Sequence, residues 1–331
     1  MTITSVISVT STPMNGSNQE HTLSVTHFIL MGFPSSPEIQ LLYFGLFSMT
    51  YILTLMGNAA IACAVRGDRR LHTPMYIFLG NFSLLEICYV TSTVPNMLTN
   101  FLSSSKSISF VSSCFLQFYF FFSLGTSETF LLPLMAFDRY LAICQPLHYP
   151  TIMSNRLCTI LVSLCWVTAF LCYPAPIYFI TQLPFCGPNI IDHFVCDPGP
   201  LLALSCVPAP GIELSCSLLS SVIIFFTLFF ILASYTLVLR AVFRLPSAAG
   251  RRKAFSTCGS HLVVVSLFYA TLMVMYISPN SGNPAGTQMV VTLIYSSVTP
   301  LVNPLIYSLR NKDMKAALRK IKILTKISQN S

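Results

Sequence analysis

The sequence predicts an all-α membrane protein: a seven-transmembrane helix bundle followed by a short amphipathic C-terminal helix. Three observations carry this. Of 331 residues, 54% are apolar and only 8% charged, where a soluble domain carries roughly 25% charged residues. Mean hydropathy is +0.71. The apolar residues gather into seven stretches of the length that crosses hydrocarbon, about 20 residues each.

The seven spans run over about 41–65, 75–99, 111–141, 157–180, 213–239, 254–277 and 287–309. The last two form one block, 254–309, without Asp, Glu, Lys or Arg, but PNSGNPAG at 279–286 divides it with a turn. Helices satisfy their own backbone groups in lipid, so an α-bundle follows. A membrane barrel would need ten-residue alternation, which this chain lacks. The division is therefore an N-terminal tail over 1–40, a membrane domain over 41–309, and a C-terminal segment over 310–331.

Of 18 Lys and Arg residues, 17 fall on one side of the predicted membrane and only Lys106 on the other. Such residues accumulate in cytoplasmic loops, so the N-terminus is expected outside and the C-terminus inside. The net charge of +8 is then a topology signal, helped by anionic inner-leaflet lipid, and needs no nucleic acid. The first 40 residues lack a basic start and a compact apolar core, so the first span is expected to direct insertion. Asn15-Gly16-Ser17 is a glycosylation sequon on the outer side. Asn81-Phe82-Ser83 also matches, but lies inside the second span.

Four of the 12 cysteines lie on the outer side: Cys114 at the start of the third span, and Cys186, Cys196 and Cys206 in the loop after the fourth. That compartment is oxidising and favours disulfides; four cysteines allow three pairings, and spacing does not choose among them. A bridge from Cys114 would pin the loop over the bundle mouth. His193, Cys196 and Asp197 are also close enough in sequence to bind Cu or Zn through a free thiolate, which a disulfide at Cys196 would remove.

Glu86 and Glu128 sit midway along spans two and three. An ionisable group at that depth costs roughly 3 kcal/mol and faces the bundle interior. With no Lys or Arg at that depth, the two acids can share a proton, stay protonated and tie helices together, or hold a cation. Sodium is the favoured reading, with Asn58, Ser83, Thr129 and Asn303 adding oxygens. Along span three, Phe121, Gly125, Glu128, Leu132, Met135 and Arg139 recur at helical steps and share a face. Glu128 and Arg139 are roughly 16 Å apart along it. One rod thus joins an outer apolar region, a buried acid and a guanidinium at the inner edge, which suits a signal transducer. Packing alone explains Phe121, Gly125 and Leu132, but not Glu128.

Asp138-Arg139-Tyr140 and Asn303-Pro304-Leu305-Ile306-Tyr307, within seven spans, resemble the rhodopsin-like G-protein-coupled receptors. Asn58, Trp166 and Cys114 fall at that family's helix landmarks. LHTPMYIFLGNFSLLEIC at 71–88, MAFDRYLAICQPLHY at 135–149, SY at 234–235, RKAFSTCGSHL at 252–262 and PLVNPLIYSLRN at 300–311 resemble, more narrowly, the vertebrate odorant receptors of the terrestrial-type class. The resemblance covers roughly residues 25–325.

The resemblance implies a receptor, not an enzyme, activated by an odorant and coupled to a heterotrimeric stimulatory G protein that raises cAMP. Cys114 would pair with Cys196, and Cys186 with Cys206. Asp138 would hold Arg139 until activation, Tyr235 and Tyr307 would then move to meet it, and His261 would latch the resting state. Glu86 and Glu128 match the family's sodium-site acids. Phe121 stands where amine receptors carry an aspartate. The implied ligand set is Phe121, Phe122, Gly125, Thr126, Leu219, Ile223, Tyr269, Tyr276, Leu293 and Ser296. It holds no charged group, so the expected ligand is a small uncharged volatile molecule. The implied location is the plasma membrane of olfactory sensory neuron cilia, with trafficking chaperones as helpers. The tail at 311–326 places Met314, Ala317, Leu318 and Ile321 on one stripe, an amphipathic helix on the inner leaflet.

Two other classes fit worse. A transporter would show inverted repeats or matched broken helices, and a membrane enzyme would need a nucleophile–base constellation; neither is seen in the sequence.

Overall fold

A computed structural model describes residues 27–33, 36–103, 107–109, 113–186, 189–244, 246–277, 285–310 and 313–320. Asn15 and Ile321 lie outside the described residues, as do the side chains of Tyr276 and Tyr307. The helices are α1 (Pro37–Gly67), α2 (Pro74–Leu102), α3 (Phe115–Cys144), α4 (Tyr149–Ile152), α5 (Asn155–Leu171), α6 (Pro174–Thr181), α7 (Pro198–Ala203), α8 (Pro210–Phe243), α9 (Ala248–Ile277), α10 (Ala285–Leu293) and α11 (Thr299–Arg310). Residues 313–320 form a further helix.

Among the described residues, seven helices are long and apolar enough to cross a membrane. Several start on proline: Pro37, Pro74, Pro174, Pro198 and Pro210. A missing N–H costs nothing in a first helical turn, and the ring presets φ. Two spans read as continuous in sequence are not. The fourth breaks between α5 and α6, where Pro174 cannot donate to the preceding turn. The seventh carries a wide π turn, Ile294–Val298, between α10 and α11, which buries Tyr295, Ser296 and Ser297. Such widened turns recur at functional sites.

The third span forms the axis. It packs against α2, α5, α8 and α9, and 67% of its apolar window is buried, against 11% for α1. Phe225, Phe226 and Phe229 of α8 point outward instead, as a lipid-facing row does. Between α1 and α11 the backbones approach closely. A Cβ on Gly57 would meet the Pro304 ring at 3.3 Å, and the neighbouring Asn58 Nδ2 donates to the Pro300 carbonyl at 3.1 Å.

At the loop end of the bundle, a three-stranded sheet has the order β2 (Ser107–Ser109), β1 (His27–Leu30), β3 (Ile190–Ile191). β1 is antiparallel to β2 and parallel to β3, with Ile29 opposite Ser107 and Ile190. Asn189 turns the chain into β3 at a φ of 45°, which asparagine tolerates. Its amide donates to the His27 carbonyl at 2.5 Å. Disulfides join Cys114 to Cys196 and Cys186 to Cys206, so the long loop is tied to the start of α3 and closed on itself. The Cu or Zn reading is thereby corrected: Cys196 is bonded to sulfur and has no thiolate to give.

At the other end, Asp68 accepts from Arg70 at 2.7 Å and faces Lys320 at 3.5 Å. These cations hold the Asp68 carboxyl well below its usual range. Met314 and Ala317 of the last helix are buried, the apolar stripe expected of it.

Candidate functional site

An inner cavity, with about 390 Å³ of empty space including its mouth, opens beside the outer half of α3. Phe121, Phe122, Gly125 and Thr126 line it from α3, and Ile223 from α8. Successive turns of α3 present these residues to one side, as the helical steps require. Thr126 Oγ1 lies 2.7 Å from the Tyr173 hydroxyl, closing the wall between α3 and the α5–α6 break. Phe122 packs on the same tyrosine at 5.7 Å between ring centroids. Tyr295 comes from the π turn, and its ring meets Tyr89, Phe121 and Phe268.

Of the remaining ligand residues expected from sequence, Leu219 and Leu293 are partly buried against the core and do not line this cavity. Tyr269 is buried and donates to Thr227 Oγ1 at 2.8 Å. Ser296 is buried in the π turn. Sequence reading missed Thr129, Tyr173, Ser220, Ile224, Leu272 and Tyr295, which complete the wall. The Tyr173-Pro174 pair was a visible break signal that could have placed Tyr173; nothing local marks the π turn that positions Tyr295.

Below the cavity lies a polar layer. Glu86 and Glu128 are buried and interact electrostatically. Asn303 Nδ2 donates to Glu86 Oε1. Glu86 Oε2, Glu128 Oε1, Asn303 Oδ1 and the hydroxyls of Ser123, Ser296 and Ser297 are buried without a hydrogen-bond partner among the described residues. Two of the side chains expected here also bond to backbone: Thr129 Oγ1 donates to the Gly125 carbonyl at 2.8 Å, and Asn58 Nδ2 donates to the Thr54 and Pro300 carbonyls. Ser83 is buried in α2. Asn81 donates to the Ile77 carbonyl within α2 at 2.8 Å, deep in a span, so its sequon stays discounted.

At the inner end of α3, Arg139 donates to Asp138 at 2.5 Å. The Tyr149 hydroxyl donates to the other Asp138 oxygen at 2.7 Å. Burial, together with the charge of Asp138, pushes the Tyr149 phenol up, so it remains a donor. Tyr140 accepts from Gln145 at 3.3 Å. Tyr235 of α8 meets His261 Nδ1 of α9 at 2.6 Å. Pro304 sits inside α11 against Gly57. The apolar cavity, the polar layer and the Asp138–Arg139 pair therefore follow one another along one helix.

The chain is similar throughout to known proteins. A family model described as olfactory receptor matches residues 47–326. Human olfactory receptor 11H6 is 66% identical over 306 residues, 92% of each chain. Human olfactory receptor 11H4 is 63% identical over 314 residues, 95% of this chain and 97% of the relative. Human olfactory receptor 11G2 is 66% identical over 295 residues, 89% and 85% of the two chains.

Proposed function

The chain belongs to the olfactory receptor family, a multi-pass, non-enzymatic, odorant-sensing G-protein-coupled receptor, and from that premise we propose how it works. A small, uncharged volatile molecule binds in the inner cavity. The observation that carries this is the lining of that space: aromatic and aliphatic side chains, a few hydroxyls and, among the described residues, no charged group. Such sites bind by apolar burial and use a few polar groups for orientation. Thr126, Thr129, Tyr173, Ser220 and Tyr295 supply the hydroxyls here.

Binding shifts α3 and α9 against each other. The Tyr235–His261 contact opens, Arg139 leaves Asp138, and a docking face forms for a stimulatory olfactory-type G protein that raises cAMP. Buried ion pairs serve well as such switches. Tyr307 belongs to the same switch by its place in Asn303-Pro304-Leu305-Ile306-Tyr307. The receptor sits in the plasma membrane of olfactory cilia with its N-terminus outside and glycosylated at Asn15, reaching it with trafficking chaperones.

The unpartnered buried oxygens of Glu86, Glu128 and Asn303 suit a small hard cation, which takes oxygen ligands. Sodium held there would offset the two carboxylates in the resting bundle.

The test is a cAMP reporter assay with an olfactory G protein and chaperones co-expressed. A panel of volatile compounds is run against Phe122→Ala at equal surface level. A dose-dependent rise, altered by the substitution, is expected. A response that Phe122→Ala leaves unchanged would move the ligand out of this cavity.

A further inference from the structure

A second, larger chamber lies nearer the loop end, with about 1040 Å³ of empty space including its mouth. One wall is His193 and the turn from Asp197 into α7. The other is α8 from Glu213 to Ser221, with Met275 and Thr292 behind. Ser220 lines both this chamber and the inner cavity. The two spaces thus meet at one side chain, yet their chemistry differs. Among the described residues the inner one has no charged group, whereas the outer one has two carboxylates and neither Lys nor Arg along its walls.

His193 adds an imidazole to the two carboxylates of the chamber. It is 6% exposed, stacked on Phe194, and its Nδ1 accepts from the Val195 N–H at 3.1 Å. A neutral ring accepting at Nδ1 carries its proton on Nε2. That Nε2–H has no hydrogen-bond partner among the described residues. Burial holds the ring below its usual pKa, which keeps it neutral. Asp197 uses Oδ1 to cap α7 through the Gly199 N–H at 3.0 Å; its other oxygen is unused among the described residues. Asp197 is only partly buried and interacts electrostatically with His193, so one small ligand can reach both an N–H donor and a carboxylate.

We propose that this outer chamber is a second small-molecule site, and that it takes a compact protonated amine carrying an oxygen acceptor, such as an amino alcohol. The ammonium lies against Asp197 and Glu213, and the oxygen accepts from His193 Nε2–H. The carbon chain packs on Leu202 and Met275. A chamber of one charge sign with apolar walls concentrates ions of the opposite sign. Because Ser220 is shared, occupancy here also bears on entry to the inner cavity. The site differs in class from the uncharged ligand of that cavity.

The experiment follows thermal unfolding of the purified receptor in lipid nanodiscs, at neutral pH and fixed ionic strength. Aminopropanol, propylamine and propanol are titrated separately. Aminopropanol is expected to raise the Tm saturably, with propanol binding about tenfold or more weakly, as charge-assisted hydrogen bonds are the stronger kind. Asp197→Asn keeps the α7 cap, and Glu213→Gln lies on an exposed position of α8. Each is expected to weaken aminopropanol about tenfold. Should Asp197→Asn not fold, Glu213→Gln carries the comparison alone. The proposal is overturned by the absence of a saturable rise, by propanol matching aminopropanol, or by folded variants that bind aminopropanol like the parent. The readout needs no signalling, so silence in the cAMP assay bears on the odorant reading alone.

Discussion

The Tyr235 hydroxyl lies 2.6 Å from His261 Nδ1, tying α8 to α9, and the two rings stack at 5.7 Å. Both residues are buried, so the bond is sheltered from water, and the second ring nitrogen of His261 has no hydrogen-bond partner among the described residues. Among the described residues this pair ties α8 to α9 near their inner ends, as the Tyr269–Thr227 bond does nearer the cavity, and in the proposed activation the helices separate at the Tyr235–His261 end. A net hydrogen bond of about 1 kcal/mol shifts a two-state equilibrium about fivefold. His261→Phe, which keeps a ring and loses the bond, is therefore expected to raise ligand-independent cAMP about fivefold at equal surface level. An unchanged basal level would remove His261 from the latch.

Arg139 stands apart from that tie. Its described partner is Asp138, which Tyr149 holds from the other side. Arg139→Ala is expected to leave ligand binding intact and abolish the cAMP response. Binding of a radiolabelled or fluorescent ligand, once one is found, separates the two. Tyr149→Phe frees one Asp138 oxygen and is expected to raise basal cAMP modestly, by less than His261→Phe.

Why did the sequence disclose the helices and the Asp138–Arg139 pair but only half of the cavity wall? Spans and charge asymmetry are long-range compositional signals, and lipid imposes them on every residue of a segment. Asp138, Arg139 and Glu128 stood out because charge is costly at those positions. Phe121, Phe122, Gly125 and Thr126 came from one helix, whose 3.6-residue repeat orders them without knowledge of any neighbour. Tyr173 and Tyr295 enter the wall because a helix breaks at Pro174 and another widens at Ile294–Val298. These local departures from regular geometry depend on tertiary packing. The short sheet at the loop end was missed for a similar reason. Strands of two to four residues are too short to leave a pattern.

In the proposed odorant site, Gly125 is the position expected to set the size of the ligand. A Cβ built there would lie 2.8 Å from the Tyr295 hydroxyl, closer than side-chain carbons pack, so Tyr295 must shift. Gly125→Ala is thus expected to displace Tyr295 and narrow the inner cavity. Overpacking of this kind costs about 1–3 kcal/mol. Potency is expected to fall about tenfold or more for the bulkiest agonists and little for the smallest. Dose–response curves over a homologous series would check this, and a uniform loss across the series would point to misfolding instead.

Sodium gives a separate handle. If the buried Glu86–Glu128–Asn303 oxygens hold the ion in the resting state, sodium opposes activation. Replacing sodium with a bulky organic cation at constant ionic strength is then expected to raise agonist potency of the parent receptor. Glu128→Gln is expected to remove that dependence, because a neutral amide offers a weaker oxygen and no charge. A sodium effect that persists in Glu128→Gln would place the ion elsewhere.

The Thr126–Tyr173 contact tests whether the cavity wall is one cooperating unit. Thr126 Oγ1 and Tyr173 Oη are 2.7 Å apart across the gap between α3 and α6, and both residues line the cavity. Thr126→Val leaves the tyrosine hydroxyl buried without that partner, and Tyr173→Phe does the converse. Each single change is expected to weaken agonist potency by about five- to tenfold, the cost of an orphaned buried hydroxyl. The double change removes both polar atoms together and leaves two apolar surfaces in contact, so its loss is expected to be smaller than the product of the two. The double-mutant cycle reads that coupling directly. Strict additivity would mean that each hydroxyl faces the ligand rather than the other, and the polar pair would then be the element that orients the odorant.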